Sequence, residues 1–126
     1  MLDEVMLDDL DDHALDALPF GVVCLDNRMT VVRMNRTESE ASGIQRWRAI
    51  GRDFFKDVAS NPTNRPLAEA VAAFASHPDG TPAITHTFPR RAGADPTTIH
   101  LVHGRSPDRV YLCIRRQPRR SASSTC

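Results

Sequence analysis

Two ionisable side chains, Glu38 and His86, are the candidates for chemistry in this sequence. Glu38 stands three residues after Asn35, which is the spacing of a capping box, so its carboxylate could simply close the first turn of a helix. If the helix instead turns that carboxyl inward, desolvation would raise its pKa and let it bind or protonate a ligand. His86 lies between Ile84 and Phe88 in an alternating segment. On such an apolar face, a histidine more often completes a core than acts as a ligand or a base.

The cysteines and the other histidines do not have the spacing of a metal site. Cys24, Cys113 and Cys126 are odd in number and lack C-x-x-C spacing, which favours a reducing compartment over a disulfide framework. His100 and His103 are three apart in a predicted strand and therefore project to opposite faces. H-E-x-x-H, G-x-S-x-G and P-loop motifs do not occur in the sequence. We predict no metal, no bound cofactor and no assigned catalytic residue.

Length and composition indicate one globular domain. The chain has 126 residues, of which 40% are hydrophobic and 25% are charged, and this excludes wholesale disorder. Sixteen basic residues balance sixteen acidic ones, so the overall charge does not favour nucleic acid as a partner. Apolar runs of membrane-spanning length do not occur, and the acidic start MLDEVMLDDLDD lacks the basic region of a signal peptide. We expect a cytoplasmic protein without a membrane partner.

The charges are nevertheless distributed unevenly. Residues 1–12 contain six acids and no base, whereas residues 115–120 contain four arginines and no acid. Lys56 is the only lysine, and a GC-rich genome is the favoured explanation for the many arginines. Alternatively, the acidic start and the basic end attract each other within one chain or between two chains.

Hydrophobic periodicity predicts a short helix, a β-hairpin, a helical middle and three final strands. Helices are predicted at 12–18, 35–41 and 65–76, with a short apolar turn or helix at 54–58 and an irregular stretch anchored by Trp47 at 46–53. Strands are predicted at 22–25, 29–34, 84–88, 99–101 and 110–114, with turns at 90–96 and 106–109. Asn64 is expected to cap the longest helix, and Gly43 fits a left-handed helix stop.

These elements predict an α+β fold. Five strands form one antiparallel sheet, and the helices between strands two and three cover one of its faces. A cavity between helices and sheet is the natural place for a small ligand. The predicted organisation is an acidic leader at 1–17, the folded domain at 18–117 and a disordered tail at 118–126.

The order of these elements resembles that of PAS domains, and three segments are similar to the photoactive yellow protein family. The first is the strand LPFGVVCLD at 18–26, and the second is the set Asn35, Glu38 and Gly43. The third, GRDFFKDVA at 51–59, matches the G-x-x-F-F-K-D-V-A segment of the family almost residue for residue. The likeness extends over roughly residues 15–116 and implies the PAS fold.

The resemblance also implies which pocket residues this chain has lost. The family attaches a 4-hydroxycinnamoyl chromophore to a cysteine at the position of Asn61, and an amide cannot form that thioester. The tyrosine that holds the phenolate corresponds to Met34, and the pocket arginine corresponds to Ile44. Glu38 matches the buried glutamate of the family, and Ser42 matches its threonine. The resemblance therefore implies a PAS fold that is not a photoreceptor of this type.

We expect a sensory PAS protein that binds a small molecule non-covalently and signals through protein contacts. The expected ligand-binding residues are Met34, Glu38, Ser42, Asn61, His86 and Phe88. The partner is expected to be a signalling protein or a second copy of the chain, which could pack against the outer sheet face or the leader. One alternative is an interaction module whose pocket is filled by side chains. Another is an enzyme or a biosynthetic accessory protein that uses Glu38 as acid or base on an aromatic or acyl compound.

Overall fold

The computed structural model of the chain describes residues 4–76, 83–90, 93–104 and 108–116. The predicted tail at 118–126 lies outside these residues, as does part of the predicted turn at 106–109. The helices are α1 Glu4–Asp9, α2 Asp12–Asp16, α3 Arg36–Ser42, α4 Arg46–Ala49 and α5 Arg65–Ser76, with a π-helical turn Phe54–Val58 and a 3-10 turn Pro62–Asn64. The strands are β1 Gly21–Leu25, β2 Val31–Met34, β3 Ala83–Arg90, β4 Gly93–His103 and β5 Val110–Arg116.

All five strands belong to one antiparallel sheet in the order β2-β1-β5-β4-β3. Strands β1 and β5, the first and the last in sequence, are neighbours in the sheet. Val23 of β1 lies opposite Leu112 of β5. Helices α3 to α5 lie in the chain between β2 and β3. The predicted α+β fold with one five-stranded sheet is therefore confirmed.

The predictions for residues 90–96 and for Trp47 are wrong. The turn predicted at 90–96 is mostly strand, because β3 runs to Arg90 and β4 resumes at Gly93 as its partner. Pro96 lies opposite Thr87 of β3, and it precedes Thr97, the first described residue of β4 that pairs with β5. Trp47, predicted as an anchor, lies on α4 with 72% of its surface exposed.

Side chains at alternate positions of each strand pack on opposite faces of the sheet. On the inner face, α5 contributes Leu67, Val71 and Phe74, which contact the alternating residues of the central strands. The i, i+4, i+7 spacing of these three residues gives α5 one apolar stripe, as predicted. This inner layer leaves the space in which the candidate site lies.

The outer face of the sheet is covered by the chain's own N-terminal leader. Leu7 of α1 and Leu15 of α2 are buried against Val22, Cys24 and Tyr111. Tyr111 and Cys113 of β5, which belong to the predicted dimer surface on the outer face, are therefore already covered within one chain. Dimerisation itself stays a prediction.

Arg33 of β2 fastens this leader to the sheet. Its guanidinium donates to the carbonyl oxygens of Leu7 (3.3 Å) and Leu10 (2.7 Å), and to the Tyr111 hydroxyl (3.0 Å). The Tyr111 hydroxyl in turn donates to Asp8 at 2.7 Å. Since these bonds satisfy carbonyl groups at the end of a short helix, the leader is tied down by polar contacts as well as by its leucines.

Among the described helices, none is both long enough and apolar enough to cross a bilayer.

Candidate functional site

A cavity of about 240 Å³ lies between the sheet and the helical segment 34–64. Its apolar lining consists of Met34, Ile44, Phe54, Val58, Ala59 and Phe88. Its polar lining consists of Glu38, Ser42, Ser60, Asn61, Asn64 and Arg116. An apolar body and a polar head could therefore be accommodated together, which is typical of small-molecule sites.

The structure brings five of the six predicted ligand-binding residues together around this cavity. Met34, Glu38, Ser42, Asn61 and Phe88 all line it. The sixth residue, the histidine of β3, is not part of the wall, nor is the neighbouring isoleucine at position 84. Ligand binding by the five remains a prediction.

Asn61 stands at the edge of the cavity, where the resemblance implies a lost covalent anchor. Its side-chain oxygen accepts hydrogen bonds from the backbone nitrogen and the hydroxyl of Thr63, both at 2.9 Å. Asn61 thus caps the 3-10 turn that follows, and it is exposed to solvent. Its amide can offer hydrogen bonds to a ligand but cannot hold one covalently.

Glu38 is held at the inner wall by the frame around Asn35. Asn35 Oδ1 accepts from the Glu38 backbone nitrogen at 3.0 Å, as expected for a cap. The return bond of a capping box is not made, because the Asn35 backbone nitrogen donates to the Val22 carbonyl oxygen. The Glu38 side chain is therefore available to turn towards the cavity, where it is 5% exposed.

The partner of the Glu38 carboxylate is Arg116, the last residue of β5. Nη1 donates to Oε1 at 2.7 Å and Nη2 donates to Oε2 at 3.1 Å, which is a two-point ion pair. The Arg116 side chain is 17% exposed, and its Cζ lies 5.8 Å from the centre of the Phe88 ring. The predicted buried carboxyl group is thus one half of an ion pair.

Sequence reasoning missed Arg116, although one signal could have found it. Val110, Leu112 and Ile114 alternate on the inner face of β5, and Arg116 is the next position in that alternation. Its place among the four arginines of residues 115–120 was instead explained by genome composition or by attraction to the acidic start. Arg115, of opposite parity, lies on the other face with its Cζ 4.1 Å from the Phe20 ring.

Gly21, at the start of β1, gives Glu38 its room. A Cβ placed on Gly21 would overlap Glu38 Oε1 and would lie 3.0 Å from the Glu38 Cβ. A side chain at this strand position would therefore push α3 away from the sheet or displace the carboxylate. The glycine is needed here for close approach rather than for an unusual backbone angle.

His86 is directed towards Asn64. Its Nε2 lies 2.7 Å from Asn64 Oδ1, while Asn64 Nδ2 donates to the Ala59 carbonyl oxygen at 3.1 Å. Because the amide oxygen can only accept, this network assigns the hydrogen to Nε2. Burial lowers the pKa of His86, so the neutral ring is favoured. Asn64, predicted to cap α5, instead uses both ends of its amide to connect the cavity floor to β3.

The two described cysteines lie in the outer cluster beneath the leader and do not line the cavity. Burial raises the pKa of Cys24 to about 12 and that of Cys113 to about 11. Since the thiolate is the reactive form, neither thiol is suited to replace the lost covalent anchor.

We therefore expect both thiols to be inert in the folded chain. At pH 8, about one molecule in a thousand or fewer would carry either thiolate, given these pKa values. In a Cys126→Ser variant, a chromogenic disulfide reagent should titrate no thiol within minutes in buffer and two thiols in denaturant. Rapid reaction of either cysteine in the folded variant would contradict the burial of the outer cluster.

The described residues contain no group of three or more potential ligands for a metal ion. The cavity wall offers one ion pair and several neutral hydrogen-bonding groups. This arrangement can bind and orient a small polar head. Glu38 could act as a general base only after it leaves Arg116.

Comparison with known proteins agrees with this fold. The family described as "PAS fold" matches residues 15–102, so the chain belongs to the PAS family. Within it, the chain is similar to photoactive yellow protein of Rhodothalassium salexigens, with 23% identity over 108 residues and 86% of each chain covered. The predicted resemblance is thereby confirmed.

Solved structures give the same result. The photoactive yellow protein domain of the sensor histidine kinase Ppr from Rhodospirillum centenum has a TM-score of 0.78 and 29% identity, over 87% of this chain and 96% of that domain. The PAS domain of Bordetella pertussis BvgS has a TM-score of 0.74 at 11% identity, over 90% of this chain and 88% of that chain. The PAS domain of the quorum-sensing receptor RpfR from Cronobacter turicensis, in complex with BDSF, has a TM-score of 0.66 at 16% identity, over 80% of this chain and 96% of that chain.

Proposed function

We propose that this chain is a sensory PAS domain that binds a small molecule non-covalently in the cavity between α3 and the sheet. The observation that carries the proposal is the cavity of about 240 Å³ with both apolar and polar lining. For scale, an engineered apolar cavity of about 150 Å³ holds benzene. Of the solved relatives, the RpfR PAS domain has been seen with BDSF and with C12:0.

The π-helical turn Phe54–Val58 supports a binding role for this part of the chain. Its C-terminal side leads directly into Ala59, Ser60 and Asn61 at the cavity wall. Single π-helical turns are rare and are frequently found at functional sites, because the wider turn redirects side chains and backbone groups.

The open volume favours this function over the two alternatives. A module whose pocket is filled by side chains would not retain a hollow of this size between sheet and helices. An enzyme that uses Glu38 as acid or base would first have to release the carboxylate from Arg116.

The route proposed for the signal runs through β5 to the leader. Arg116 contacts Glu38 on the inner face, while its neighbour Arg115 stacks on Phe20 on the outer face. Phe20 belongs to the same outer cluster as Leu15 of α2. A ligand that shifts Arg116 would therefore alter the packing of the leader, where a signalling partner or a second copy could respond. A cytoplasmic location is part of this proposal.

A thermal-shift and native mass spectrometry screen of small molecules tests the binding function. A compound present at 100 times its dissociation constant should stabilise the fold by about 2.7 kcal/mol. In an Ala59→Leu variant, the larger side chain should occupy the cavity and abolish the shift.

The matched control is Ala73→Leu, the same change on an exposed position of α5. This variant should keep the shift of the parent chain. A shift that survives in Ala59→Leu would place the binding elsewhere, and a screen in which no compound binds the parent chain would refute the proposed function.

A further inference from the structure

We propose that the ligand class of this cavity is a monocarboxylic acid with a compact apolar body, and that its carboxylate takes the place of Glu38 on Arg116. This inference rests on the proposed function, because it assumes that the cavity admits a ligand. The observation behind it is that Glu38 and Arg116 both line the cavity and face each other there as a two-point ion pair.

The geometry of the guanidinium selects the carboxylate. Nη1 and Nη2 of Arg116 already hold the two oxygens of one carboxylate, at 2.7 and 3.1 Å. A ligand carboxylate can present the same two oxygens to the same two donors. A phosphate would bring nearly a second negative charge to a cavity whose described residues supply one guanidinium with a carboxylate beside it, so a phosphate is less well matched.

The rest of the wall selects the body of the ligand. Phe88 lies beneath the guanidinium, and Met34, Phe54 and Val58 contribute further apolar surface. When an acid replaces Glu38 on Arg116, its hydrocarbon part is also buried against this apolar surface. The Glu38 side chain by itself does not provide this gain in free energy. This gain is the driving force for the exchange, since one carboxylate merely replaces another on the arginine.

The exchange must be neutral in charge. Two carboxylates sharing one guanidinium in a buried site would repel each other, so Glu38 has to take up a proton when the ligand anion binds. In net terms, a neutral acid enters, leaves its proton on a Glu38 oxygen and binds Arg116 as the carboxylate. Only O–H bonds are broken and formed, and the total charge of the cavity is unchanged.

Among the described residues of the cavity wall, Arg116 is the one group besides Glu38 that is charged near neutral pH. From β5 Glu38 faces Arg116, from β1 the backbone of Gly21, and from its own helix Ser42. His86 of β3 is outside the wall and is bonded to Asn64. Proton uptake on binding is therefore assigned to Glu38.

The test is isothermal titration calorimetry with 3-phenylpropanoate and its uncharged primary amide as probes. We expect the parent chain to bind the acid about tenfold or more tightly than the amide. Arg116→Gln should remove this preference for the acid over the amide. Arg115→Gln, which removes the same charge one residue away on the outer face, should keep the preference.

The Glu38→Gln variant shows whether Glu38 competes with the ligand or binds it, because the two roles predict opposite changes in affinity for the acid. It is also the milder change if Arg116→Gln does not fold. If Glu38 competes with the ligand for Arg116, the variant should bind the acid about tenfold or more tightly. If Glu38 itself binds the ligand, the variant should bind more weakly. Glu40→Gln, an exposed position of α3, should change nothing.

Proton linkage supplies an independent measurement. Titrations of the acid in two buffers of different ionisation enthalpy should show uptake of about one proton per ligand in the parent chain and none in Glu38→Gln. Equal binding of acid and amide, weaker acid binding in Glu38→Gln, or absence of proton uptake would each overturn the inference. If the amide or other library compounds still bind in the cavity, the proposed function stands while the ligand class is wrong.

Discussion

Replacement of Asn35 by alanine is expected to lower the free energy of unfolding by about 4–6 kcal/mol, because four buried backbone groups would each lose a hydrogen-bond partner. Asn35 is fully buried, and its Oδ1 accepts from the backbone nitrogens of Val22 (2.9 Å) and Glu38 (3.0 Å). Its Nδ2 donates to the carbonyl oxygens of Leu15 (2.9 Å) and Phe20 (3.0 Å). One side chain thus joins the leader, β1 and α3. A loss of this size is a large fraction of the stability of a small domain.

Urea denaturation and thermal unfolding measure the effect, and a fall in Tm of about 15 °C or more is expected. The Asn35→Asp variant distinguishes this network of four hydrogen bonds from simple helix capping. Aspartate caps as well as asparagine does, so it would be nearly neutral if capping were the whole role. We expect it to be as damaging as alanine, because its second oxygen would face the two carbonyl oxygens of Leu15 and Phe20. Asn27→Ala, at an exposed turn position, is the control.

Replacement of Arg116 by methionine is expected to cost about 3–5 kcal/mol, because a nearly buried carboxylate loses two charge-assisted hydrogen bonds. The carboxylate concerned, Glu38, has a 5% exposed side chain, so solvent cannot compensate for the loss. Glu38→Met alone should also be costly, because the largely buried guanidinium of Arg116 would lose its two hydrogen bonds to the Glu38 carboxylate. The double variant should lie within about 1 kcal/mol of the parent chain, since two apolar side chains of similar volume can pack where the ion pair was.

A double-mutant cycle measured by chemical denaturation checks this prediction. Arg115→Met and Glu40→Met serve as controls on the same two elements, and each should change stability by less than about 1 kcal/mol because both positions are exposed. If the two single changes at Glu38 and Arg116 simply add in the double variant, the ion pair is not the coupled unit that its geometry indicates.

Local sequence patterns were sufficient for the fold, and together with the family resemblance they predicted five of the residues that line the cavity. Alternating apolar residues predicted the five strands, and the i, i+4, i+7 stripe of Leu67, Val71 and Phe74 predicted α5. The left-handed stop at Gly43 was also predicted, and its φ is 78°. These features are set by backbone sterics and by which side chains must leave water, so they can be read within a few residues.

Contacts between distant segments could not be predicted in this way. Glu38 meets Arg116 across 78 residues, and His86 meets Asn64 across 22. Which of several arginines reaches the cavity depends on where β5 ends relative to α3. Whether a strand histidine points into the cavity depends on how the helical segment 59–64 crosses β3.

The sequence by itself determined the PAS topology, the place of Asn35 at the strand-to-helix junction and the presence of an amide, Asn61, at the position of the family's covalent anchor. Only the tertiary structure decided that Glu38 is one half of an ion pair, that His86 turns towards Asn64 and that the leader covers the outer face of its own sheet. Periodicity specifies which side of an element is apolar. The partner of a buried charge is chosen by distances between segments that only the packed chain brings together.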